Sequence, residues 1–554
     1  MLDKSIACTT LAELLQQRSQ ENRDAVAFTF LSDRGQRGQR TFEQLETQAQ
    51  RVARALTARN LEKEPVLLLF ASSLDYLDAL FGCFLANTIA VPAHPPRPRR
   101  PMDRLQSILQ SSGARTVLTT TAHRARWSEH PAFAGIEWLC IDALDDDSTL
   151  DVDSARTRPK PTEDDVALIQ YTSGSTAEPK GVPLTHAGIL HNQRMMGAAF
   201  DTGGRFVVVG WLPLHHDMGL IGNVLHPLYR GAHCILMAPE TFLMRPIRWL
   251  EAITEFGATT SGGPNFAYDL CVDRIPEDQR AALDLSSWRV AYNGAEPIRA
   301  DTLDRFREAF APCGLRPTAL TPCYGLAEAT LLVSAAPPDA AATTTAVAAE
   351  ALTAHIAATT HTDRQRQLVA CGAPAPGIEV RIVDEDGRPL DEQHVGEIEI
   401  RGPSVIDGYW GEPRRNEAWF ATGDLGFLQN GDIVVTGRLK DLIIIAGRNL
   451  YPQDIERSTS EAHDAVFDRA VVAFSIDAPE RLVVVAEAHR RRPPDDEVHR
   501  AIKRRISEDN DVVVHDIVLI KQGTLPRTSS GKLRRRACRQ AYLQGRLSAQ
   551  ETNA

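Results

Sequence analysis

The chain lacks a hydrophobic run long enough to cross a membrane. None of its apolar stretches approaches the roughly 18 residues that a transmembrane helix needs. Residues 1–17 are interrupted by polar and charged side chains, unlike the continuous apolar core of a signal peptide. We therefore expect a soluble protein of the cytoplasm, without a transmembrane segment.

Paired cysteines and an excess of basic residues are also missing. The nine cysteines are scattered and include no C-x-x-C pair, which favours reduced thiols over a disulfide framework or a zinc site. The formal net charge of -11 is the opposite of the basic field that an overall nucleic-acid binder carries. These two features disfavour a disulfide scaffold, a zinc protein and a nucleic-acid-binding protein.

The sequence has no internal repeat, and its 554 residues are too many for one hydrophobic core. Short apolar runs, such as residues 66–70, 207–209 and 234–237, alternate with segments of helical period up to about residue 436. This alternation is typical of a layered α/β domain, in which β-sheets are flanked by helices. We predict such a domain over residues 1–436.

A different pattern follows residue 437. A helix is predicted near residues 452–462, and strands over 470–474, 482–487 and 512–520, with a helical stretch between the last two. This order predicts a small, mobile C-terminal α+β domain over residues 437–554.

One segment fits neither pattern. Residues 335–367 are rich in Ala and Thr, contain few large apolar side chains and show no clear periodicity. Long stretches of this kind inside a compact domain are usually excursions from it. We therefore expect an inserted loop or mobile excursion there.

The most informative local sequence is YTSGSTAEPKGVPLTH, at residues 171–186. It follows a predicted strand at residues 166–169 and precedes a helix that opens near Thr185. Its small residues let backbone N–H groups and hydroxyls surround phosphate oxygens, and Lys180 adds a compact positive charge. The spacing differs from that of a Walker loop. The segment predicts a polyphosphate-binding loop, and the plainer alternative is a Ser/Gly-rich turn.

This loop resembles the phosphate-binding signature of the adenylate-forming superfamily, which includes acyl-CoA synthetases, luciferases and the adenylation domains of peptide synthetases. Further segments of that family follow in the family's order, within roughly residues 10–540. They are WLPLHHDMGLIG (211–222), NGAEPI (293–298), YGLAEAT (324–330), TGDLG (422–426), GRLKD (437–441) and SSGKLRR (529–535). An ordered set is far more specific than one motif. The resemblance implies ATP-dependent formation of an acyl-adenylate.

The resemblance implies a nucleotide site. Asp424 resembles the carboxylate that accepts hydrogen bonds from the ribose hydroxyls, and Tyr324 resembles the ring that stacks on adenine. The expected ATP- and AMP-binding residues are Thr172, Ser173, Gly174, Ser175, Thr176, Lys180, Gly294, Ala295, Tyr324, Asp424 and Arg438. In an unrelated protein, a Gly-Asp pair is usually a turn and a lone tyrosine usually belongs to a core.

The resemblance also implies the reacting groups. Lys532 resembles the catalytic lysine whose ammonium stabilises charge as pyrophosphate leaves, and His216 resembles the histidine beside the reacting carboxylate. Glu328 resembles the ligand of the Mg²⁺ that accompanies ATP. Because Lys532 lies in the small domain, that domain has to close over ATP, and we place the hinge at Lys440. The plainer alternatives are a solvated basic tail, a structural histidine and an exposed glutamate.

Several details resemble the fatty acyl-AMP ligase branch, whose members hand the adenylate to the phosphopantetheine of an acyl carrier protein. Residues 215–222, 262–271, 324–334 and 437–456 are similar to that branch throughout, although Leu450 replaces its usual histidine. We therefore expect a fatty acid substrate and an acyl carrier protein partner, in lipid or polyketide metabolism.

An insertion and one substitution favour the same branch. Gly372 follows Glu328 by 44 positions, more than we expect in a CoA ligase. In this branch, an insertion is thought to restrict the domain rotation that a CoA-dependent step needs. Ile444 stands where several CoA-ligase relatives have a lysine. A fatty acyl-CoA ligase and an inactive nucleotide-binding homologue are the alternatives, and the retained Lys532 and Glu328 disfavour the second.

The acyl pocket and the carrier surface are less well determined. Apolar residues in 220–228 and 264–270 are expected to line an acyl channel, since an alkyl chain gains about 0.8 kcal/mol per buried CH₂. The pocket candidates are Leu220, Ile221, Asn265 and Phe266. These residues are equally compatible with core positions. For an acidic carrier protein, the candidate docking surfaces are the basic runs 97–100 and 490–492.

Overall fold

The structure of the protein is a computed structural model. It describes residues 8–33, 35–96, 102–144, 160–172, 179–348, 351–352, 355–357, 365–445, 448–476, 480–489, 495–528 and 532–547. Within these ranges, no helix combines the length and the apolar character that crossing a membrane requires. All nine cysteines lie in these ranges and are free thiols there.

The regular elements are numbered along the chain. The strands are β1 (Val26–Leu31), β2 (Arg37–Thr41), β3 (Pro65–Leu69), β4 (Ile89–Ala93), β5 (Thr116–Thr119), β6 (Glu137–Cys140), β7 (Val166–Tyr171), β8 (Gly181–Thr185), β9 (Val207–Gly210), β10 (His233–Met237), β11 (Thr260–Gly263), β12 (Val290–Asn293), β13 (Leu320–Gly325), β14 (Leu332–Ala335), β15 (Thr344–Ala348), β16 (Gln365–Val369), β17 (Glu379–Val383), β18 (Gly396–Arg401), β19 (Phe420–Gln429), β20 (Asp432–Arg438), β21 (Ile443–Ile445), β22 (Arg448–Leu450), β23 (Val466–Ile476), β24 (Arg481–Ala488) and β25 (Val514–Lys521).

The α-helices are α1 (Leu11–Glu21), α2 (Phe42–Thr57), α3 (Leu74–Leu85), α4 (Asp103–Ser112), α5 (Thr121–Trp127), α6 (His186–Ala199), α7 (His226–Arg230), α8 (Pro239–Met244), α9 (Ile247–Phe256), α10 (Asn265–Arg274), α11 (Glu277–Arg280), α12 (Ala300–Phe310), α13 (Pro452–Ser460), α14 (Asp495–Asn510) and α15 (Arg535–Leu543). Short 3₁₀ turns cover Pro131–Phe133, Ile141–Ala143, Ala311–Cys313, Ala327–Ala329 and Leu439–Asp441, and a π-helix covers Met218–Leu225.

Two mixed sheets build the layered part of the large domain. One has the strand order β14-β13-β12-β11-β9-β10-β1-β2, and the other has the order β6-β5-β3-β4-β7-β8. The inner strands pair in parallel, whereas antiparallel pairs join β1 to β2, β7 to β8 and β13 to β14 at the edges. Apolar runs such as residues 66–69 of β3 are fully buried, which is typical of parallel strands covered on both faces. The strands predicted at residues 66–70, 207–209 and 234–237 are confirmed as β3, β9 and β10.

A third, antiparallel sheet carries later motifs of the large domain. Its order is β17-β18-β19-β20, and it brings the TGDLG segment on β19 against the start of the GRLKD segment at the end of β20. Asp424 and Arg438 are direct partners in this register. Strand pairing therefore fixes the two side chains next to each other.

The expectation of a loop at residues 335–367 is wrong for part of that segment. Thr344–Ala348 and Gln365–Val369 pair as the antiparallel strands β15 and β16. Val347 and Leu352 are buried in a cluster that includes Tyr451. Backbone pairing and a few well-placed apolar side chains give order to a segment that has no periodic hydrophobic pattern.

The small domain contains a three-stranded sheet, β23-β24-β25, and the helices α13, α14 and α15. The strands predicted at residues 470–474, 482–487 and 512–520 and the helix near 452–462 are confirmed. Apolar residues such as Ile455, Val484 and Ile502 form a core of their own. A large α/β domain and a small α+β domain are therefore confirmed, and the boundary between residues 436 and 437 stays a prediction.

Candidate active site

The loop predicted to bind phosphate lies between β7 and β8. These strands pair antiparallel, with Tyr171 opposite Gly181, and the amide of Thr172 donates to the carbonyl of Lys180 at 3.3 Å. The two ends of the loop are thus fixed beside each other. Residues 173–176 lie outside the described residues, so their phosphate contacts stay a prediction.

Lys180 directs its ammonium toward the segment that follows β18. Nζ lies 3.1 Å from Oε1 of Glu412 and 4.3 Å from the centroid of the Tyr409 ring. The side chains of Lys180 and Glu412 are about half exposed. Such an ion pair contributes little stability, so a phosphate group can replace the carboxylate at small cost.

Asp424 joins motifs that are far apart in the sequence. The side chain is buried on β19. Its Oδ2 accepts a hydrogen bond from the hydroxyl of Tyr324 at 2.9 Å, and its Oδ1 accepts one from Nε of Arg438 at 2.9 Å. The carboxylate raises the pKa of Arg438, and the backbone amide of Asp424 donates to Oγ1 of Thr422 at 3.1 Å. The predicted ribose carboxylate and adenine ring therefore meet at one place.

The NGAEPI segment forms a tight turn after β12. A side chain at Gly294 would place its Cβ 2.8 Å from the carbonyl oxygen of Cys323, so this position requires glycine. Ala295 has a φ of +69°, in the left-handed region that residues other than glycine rarely adopt. The turn leaves Ala295 exposed and available to a group from the small domain.

Lys532 of the small domain reaches this turn. Its Nζ donates to the carbonyl oxygen of Ala295 at 2.7 Å. The backbone of Lys532 is fixed by Thr528, whose amide donates to the Lys532 carbonyl at 2.8 Å and whose Oγ1 accepts from the Lys532 amide at 3.0 Å. Burial lowers the pKa of Lys532, while Glu296 and Asp217 oppose that shift. The predicted catalytic lysine and the turn that carries the predicted nucleotide-binding residues Gly294 and Ala295 are thus brought together across the domains.

His216 lies beside this lysine, just before the π-helix. Such helices are rare and are frequent at functional sites. Burial lowers the pKa of His216 to about 3, and the positive charge of Lys532 adds to the effect. The imidazole is therefore neutral at neutral pH and keeps one N–H donor.

Asp217 is a site residue that sequence reasoning missed. Burial raises its pKa, and Lys532 opposes that shift. Its Oδ1 accepts a hydrogen bond from the amide of Met218 at 2.7 Å. The sequence could have indicated Asp217, because it follows His216 in the same motif. Its electrostatic effect on Lys532, however, depends on how the two domains meet.

Glu328 is the predicted Mg²⁺ ligand. Its Oε1 accepts a hydrogen bond from the hydroxyl of Tyr409 at 2.9 Å, and burial raises its pKa, with Asp217 adding to the rise. A buried carboxylate oxygen is a hard donor of the kind that Mg²⁺ prefers, and a cation would relieve its unfavourable charge. No cluster of three or more His, Cys, Asp or Glu side chains suited to a metal is found in the described ranges. The donor set fits Mg²⁺ held by Glu328 together with substrate phosphates and water.

The four acyl-pocket candidates lie on two elements. Leu220 and Ile221 are fully buried in the π-helix, and Phe266 packs edge-on against Trp211 with ring centroids 5.9 Å apart. Asn265 instead fixes the turn that carries Ala295, since its Nδ2 donates to the carbonyl of Pro297 at 2.9 Å. A role for these residues in binding an acyl chain stays a prediction.

The predicted hinge lies in the 3₁₀ turn Leu439–Asp441. Lys440 is exposed there, and Ile444 follows on β21 with 45% of its surface exposed. The two basic runs predicted to dock a carrier protein, residues 97–100 and 490–492, lie outside the described residues.

The segment predicted as an insertion contacts the residues that follow the hinge. Arg366 on β16 is buried, and its guanidinium lies 4.8 Å from the ring centroid of Tyr451. Its Nε lies 3.4 Å from Oδ1 of Asp454, and its Nη2 donates to the carbonyl of Thr436 at 3.1 Å. This segment therefore binds residues of the small domain that follow the predicted hinge.

Family models divide the chain into two matched parts. A model described as AMP-binding enzyme matches residues 15–410, and a model described as Disco-interacting protein 2-like, AMP domain, matches residues 440–552. The first match covers more than half of the chain, and it includes the nucleotide motifs up to YGLAEAT. The chain therefore belongs to the AMP-binding enzyme family.

Individual relatives are similar over almost their whole length. The medium-chain-fatty-acid–[acyl-carrier-protein] ligase JamA of Moorena producens is 38% identical, over 98% of this chain and 96% of the relative. The long-chain-fatty-acid–AMP ligase FadD32 of Mycolicibacterium smegmatis is 36% identical, over 92% and 90%. A fatty acyl-adenylate ligase from L. pneumophila, solved with acyl adenylate and pyrophosphate, is 37% identical with a TM-score of 0.77, over 98% of both chains. The resemblance to fatty acyl-AMP ligases is confirmed.

Proposed function

We propose that the protein joins a medium- or long-chain fatty acid to AMP, releases pyrophosphate, and passes the acyl group to the phosphopantetheine thiol of an acyl carrier protein. The observation that supports this proposal is the contact of Lys532 with Ala295, in which an ammonium group of the small domain meets a predicted nucleotide-binding residue of the large one. The fatty acid and carrier specificities are supported by the relatives that are acyl-carrier-protein and AMP ligases. A cytoplasmic location stays part of this proposal.

In the proposed reaction, a carboxylate oxygen of the fatty acid attacks the α-phosphorus of ATP. A new O–P bond forms, the bond to the bridging oxygen breaks, and pyrophosphate leaves with that electron pair. Negative charge moves onto the phosphate oxygens, where Lys532 stabilises it. The neutral His216 offers a hydrogen-bond donor to these phosphate oxygens, and its protonation state does not change near neutral pH. Lys180 exchanges Glu412 for the outer phosphates.

Asp424 and Glu328 serve the nucleotide in different ways. Asp424 accepts hydrogen bonds from the ribose hydroxyls while Arg438 and Tyr324 hold it in place. Glu328 would hold the Mg²⁺ of the nucleotide, and that ion would offset the charge of the phosphates. Asp424 is buried and Glu328 is partly buried, which strengthens these interactions because water screens them less than at an exposed site.

The contact of the inserted segment with the small domain favours a carrier protein over free CoA as acceptor. Arg366 binds Asp454 and Tyr451 beyond the hinge, so rotation of the small domain has to break buried polar contacts. Such contacts cost free energy when their partners are lost. A carrier protein gains binding free energy from its own docking surface and can offset that cost, whereas a small free thiol has less surface with which to do so.

The test is a reaction of purified protein with Mg-ATP and medium- and long-chain fatty acids, in which acyl-AMP, pyrophosphate and thioester are measured. CoA and a phosphopantetheine-loaded carrier protein are compared as acceptors. Without an acceptor, we expect acyl-AMP and pyrophosphate in equal amounts. With the carrier, thioester and AMP form at the expense of acyl-AMP, and with CoA little thioester forms. Rapid formation of acyl-CoA contradicts the acceptor, and absence of acyl-AMP contradicts the whole proposal.

Lys532→Ala provides the internal control for chemistry. The substitution removes the positive charge at the reacting phosphate, and we expect acyl-AMP formation to fall on the order of 100-fold. Lys503→Ala is the matched variant, because Lys503 is an exposed lysine on α14 of the same domain. An equal loss in both variants contradicts the role of Lys532.

A further inference from the structure

Asp269 on α10 lies at the centre of an ionic cluster between the two domains. Its side chain is only 5% exposed. Within the large domain, Nη2 of Arg299 lies 2.5 Å from Oδ2, Nη1 of Arg305 lies 3.5 Å from Oδ1, and Oγ1 of Thr302 donates at 3.1 Å. Arg469 of the small domain binds the same carboxylate. A carboxylate this buried is stable only when such partners compensate its charge.

Arg469 reaches Asp269 through an irregular stretch of β23. The register of β23 against β24 shifts between residues 466 and 471, and Arg469 has a φ of +58°. This left-handed conformation is unfavourable for an arginine and persists where the surroundings enforce it. Nη2 also binds Asp301 of α12 at 3.1 Å, and Nε binds Asp468 at 3.1 Å. The bulge therefore directs one small-domain guanidinium into the large domain.

The helix that carries Asp269 also holds the turn that receives Lys532. At the start of α10, Asn265 donates to the carbonyl of Pro297 at 2.9 Å and accepts from the amide of Arg299 at 3.2 Å. One turn later, Asp269 binds the side chain of the same Arg299. The contacts run without a gap from Arg469 through α10 to the turn at residues 293–299. The position of Arg469 is thus coupled to the surface on which Lys532 is placed.

We propose that Arg469 is a positioning residue for adenylate formation. Its ion pair with Asp269 holds the small domain in the arrangement in which Lys532 reaches Ala295, and this pair separates before the small domain turns for acyl transfer. The inference rests on the proposed function, since it assigns Arg469 to the first of the two half-reactions. Arg469 acts through Lys532 and does not contact substrate.

Arg469→Ala is the informative variant because it does not leave the buried carboxylate of Asp269 without a partner. Asp269 keeps Arg299, Arg305 and Thr302 after the change, whereas replacing Asp269 leaves several cations without their partner. Arg505→Ala is the matched control. Arg505 also binds two carboxylates, Glu461 at 2.9 Å and Asp509 at 2.7 Å, but both lie in the small domain.

The experiment measures the two half-reactions separately in the full-length protein. Acyl-AMP formation is followed with Mg-ATP and dodecanoic acid, and acyl transfer is followed from supplied dodecanoyl-AMP to the thiol of a phosphopantetheine-loaded acyl carrier protein. We expect Arg469→Ala to lower kcat for acyl-AMP formation on the order of tenfold, with KM for ATP little changed and transfer equal or faster. Arg469→Lys restores part of the loss because it keeps the charge.

Limited digestion with trypsin gives a readout independent of activity. Arg469→Ala is expected to speed cleavage at the hinge after Lys440 at least severalfold, while Arg505→Ala leaves it near the wild-type rate. An unchanged kcat, or an equal loss in both half-reactions with unchanged hinge cleavage, overturns the proposal. If the wild-type protein forms no acyl-AMP, the proposed function fails, and the cleavage rates still decide whether Arg469 holds the domains together.

Discussion

Arg438 and Asp441 are three residues apart, yet their side chains are bound to different domains. Nε of Arg438 donates to Asp424 in the large domain at 2.9 Å, whereas Asp441 accepts from Nη1 of Arg535 in the small domain at 2.9 Å. Arg535 in turn binds Glu456 at 2.8 Å. The backbone between the two anchors consists of residues 439 and 440. A rotation of the small domain that keeps both ion pairs therefore has to use the dihedral angles of these residues.

A proline at the hinge is expected to separate the two half-reactions. Lys440 lies in a 3₁₀ turn, whose φ of about −60° proline adopts readily, so Lys440→Pro is compatible with the arrangement seen here. The ring prevents φ from changing when the domain turns. We expect acyl-AMP formation within about twofold of wild type and acyl transfer lowered at least tenfold, measured in the separate assays described above.

Lys440→Ala is the control for the charge of this exposed side chain. It removes the ammonium and leaves the backbone free, so both half-reactions are expected to continue. A loss of transfer as large in the alanine variant as in the proline variant means that the charge, and not the torsion, matters at this position.

The sequence reveals the parts of this fold that a buried hydrophobic run encodes. The strands β3, β9 and β10 and the strands of the small domain follow from runs of Val, Ile and Leu. The strand β15, with the sequence TTAVA, cannot be predicted from such a run. Its order comes from pairing with β16 and from Val347 packing near Tyr451. Those partners are separated by too many residues for a local pattern to show.

In the site, too, some features can be predicted from local sequence and others follow only from the folded chain. Its motifs identify Asp424 and Tyr324, but the hydrogen bond that joins them spans 100 positions and follows only from the folded chain. Asp269 lies within the family-like segment 262–271 and Arg469 lies in none, and their pairing depends on how two domains meet. For residues 173–176, only the sequence is informative, because the motif identifies them and they lie outside the described ranges.

Removing the charge of Asp424 is expected to weaken nucleotide binding. In Asp424→Asn, an amide replaces the carboxylate that holds Arg438 and Tyr324. A hydrogen bond with a charged partner is worth about 1.5 to 3 kcal/mol, so KM for ATP should rise by roughly tenfold or more. Initial rates at varied ATP check this, with Tyr324→Phe as a control that removes one hydroxyl. If the phenylalanine variant loses as much as the asparagine variant, the carboxylate is not the main ribose ligand.

The buried His186 is expected to make stability depend on pH. Its Nδ1 accepts a hydrogen bond from the amide of Leu11 at 3.1 Å, and burial lowers its pKa to about 4. The unfolded chain binds a proton near pH 6.5 while the folded protein stays unprotonated, so stability is full above that pH and falls as pH decreases toward 4. The loss between pH 7 and pH 5 is about 2 kcal/mol for this one group.

His186→Asn isolates this contribution, because the asparagine oxygen replaces the Nδ1 acceptor and does not titrate. Urea unfolding of both proteins at pH 7 and pH 5 gives the difference in their free energies of unfolding. We expect the wild type to lose about 2 kcal/mol relative to the variant on going to pH 5. A difference that does not change with pH means that His186 is protonated in the folded protein.

Weakening the contact of the predicted insertion with the small domain is expected to allow the protein to use CoA. Arg366→Ala removes the guanidinium that binds Asp454 and packs on Tyr451, so the small domain turns at lower cost. We expect acyl-CoA formation to rise severalfold while acyl-AMP formation stays near wild type, because Arg366 touches none of the nucleotide residues. Arg388→Ala is the matched variant, since Arg388 pairs only with Asp384 and Asp386 of its own turn among the described contacts. If CoA use stays negligible in Arg366→Ala, the preference for a carrier protein comes from another feature of the site, and Ile444, exposed beside the hinge, is the next position to change.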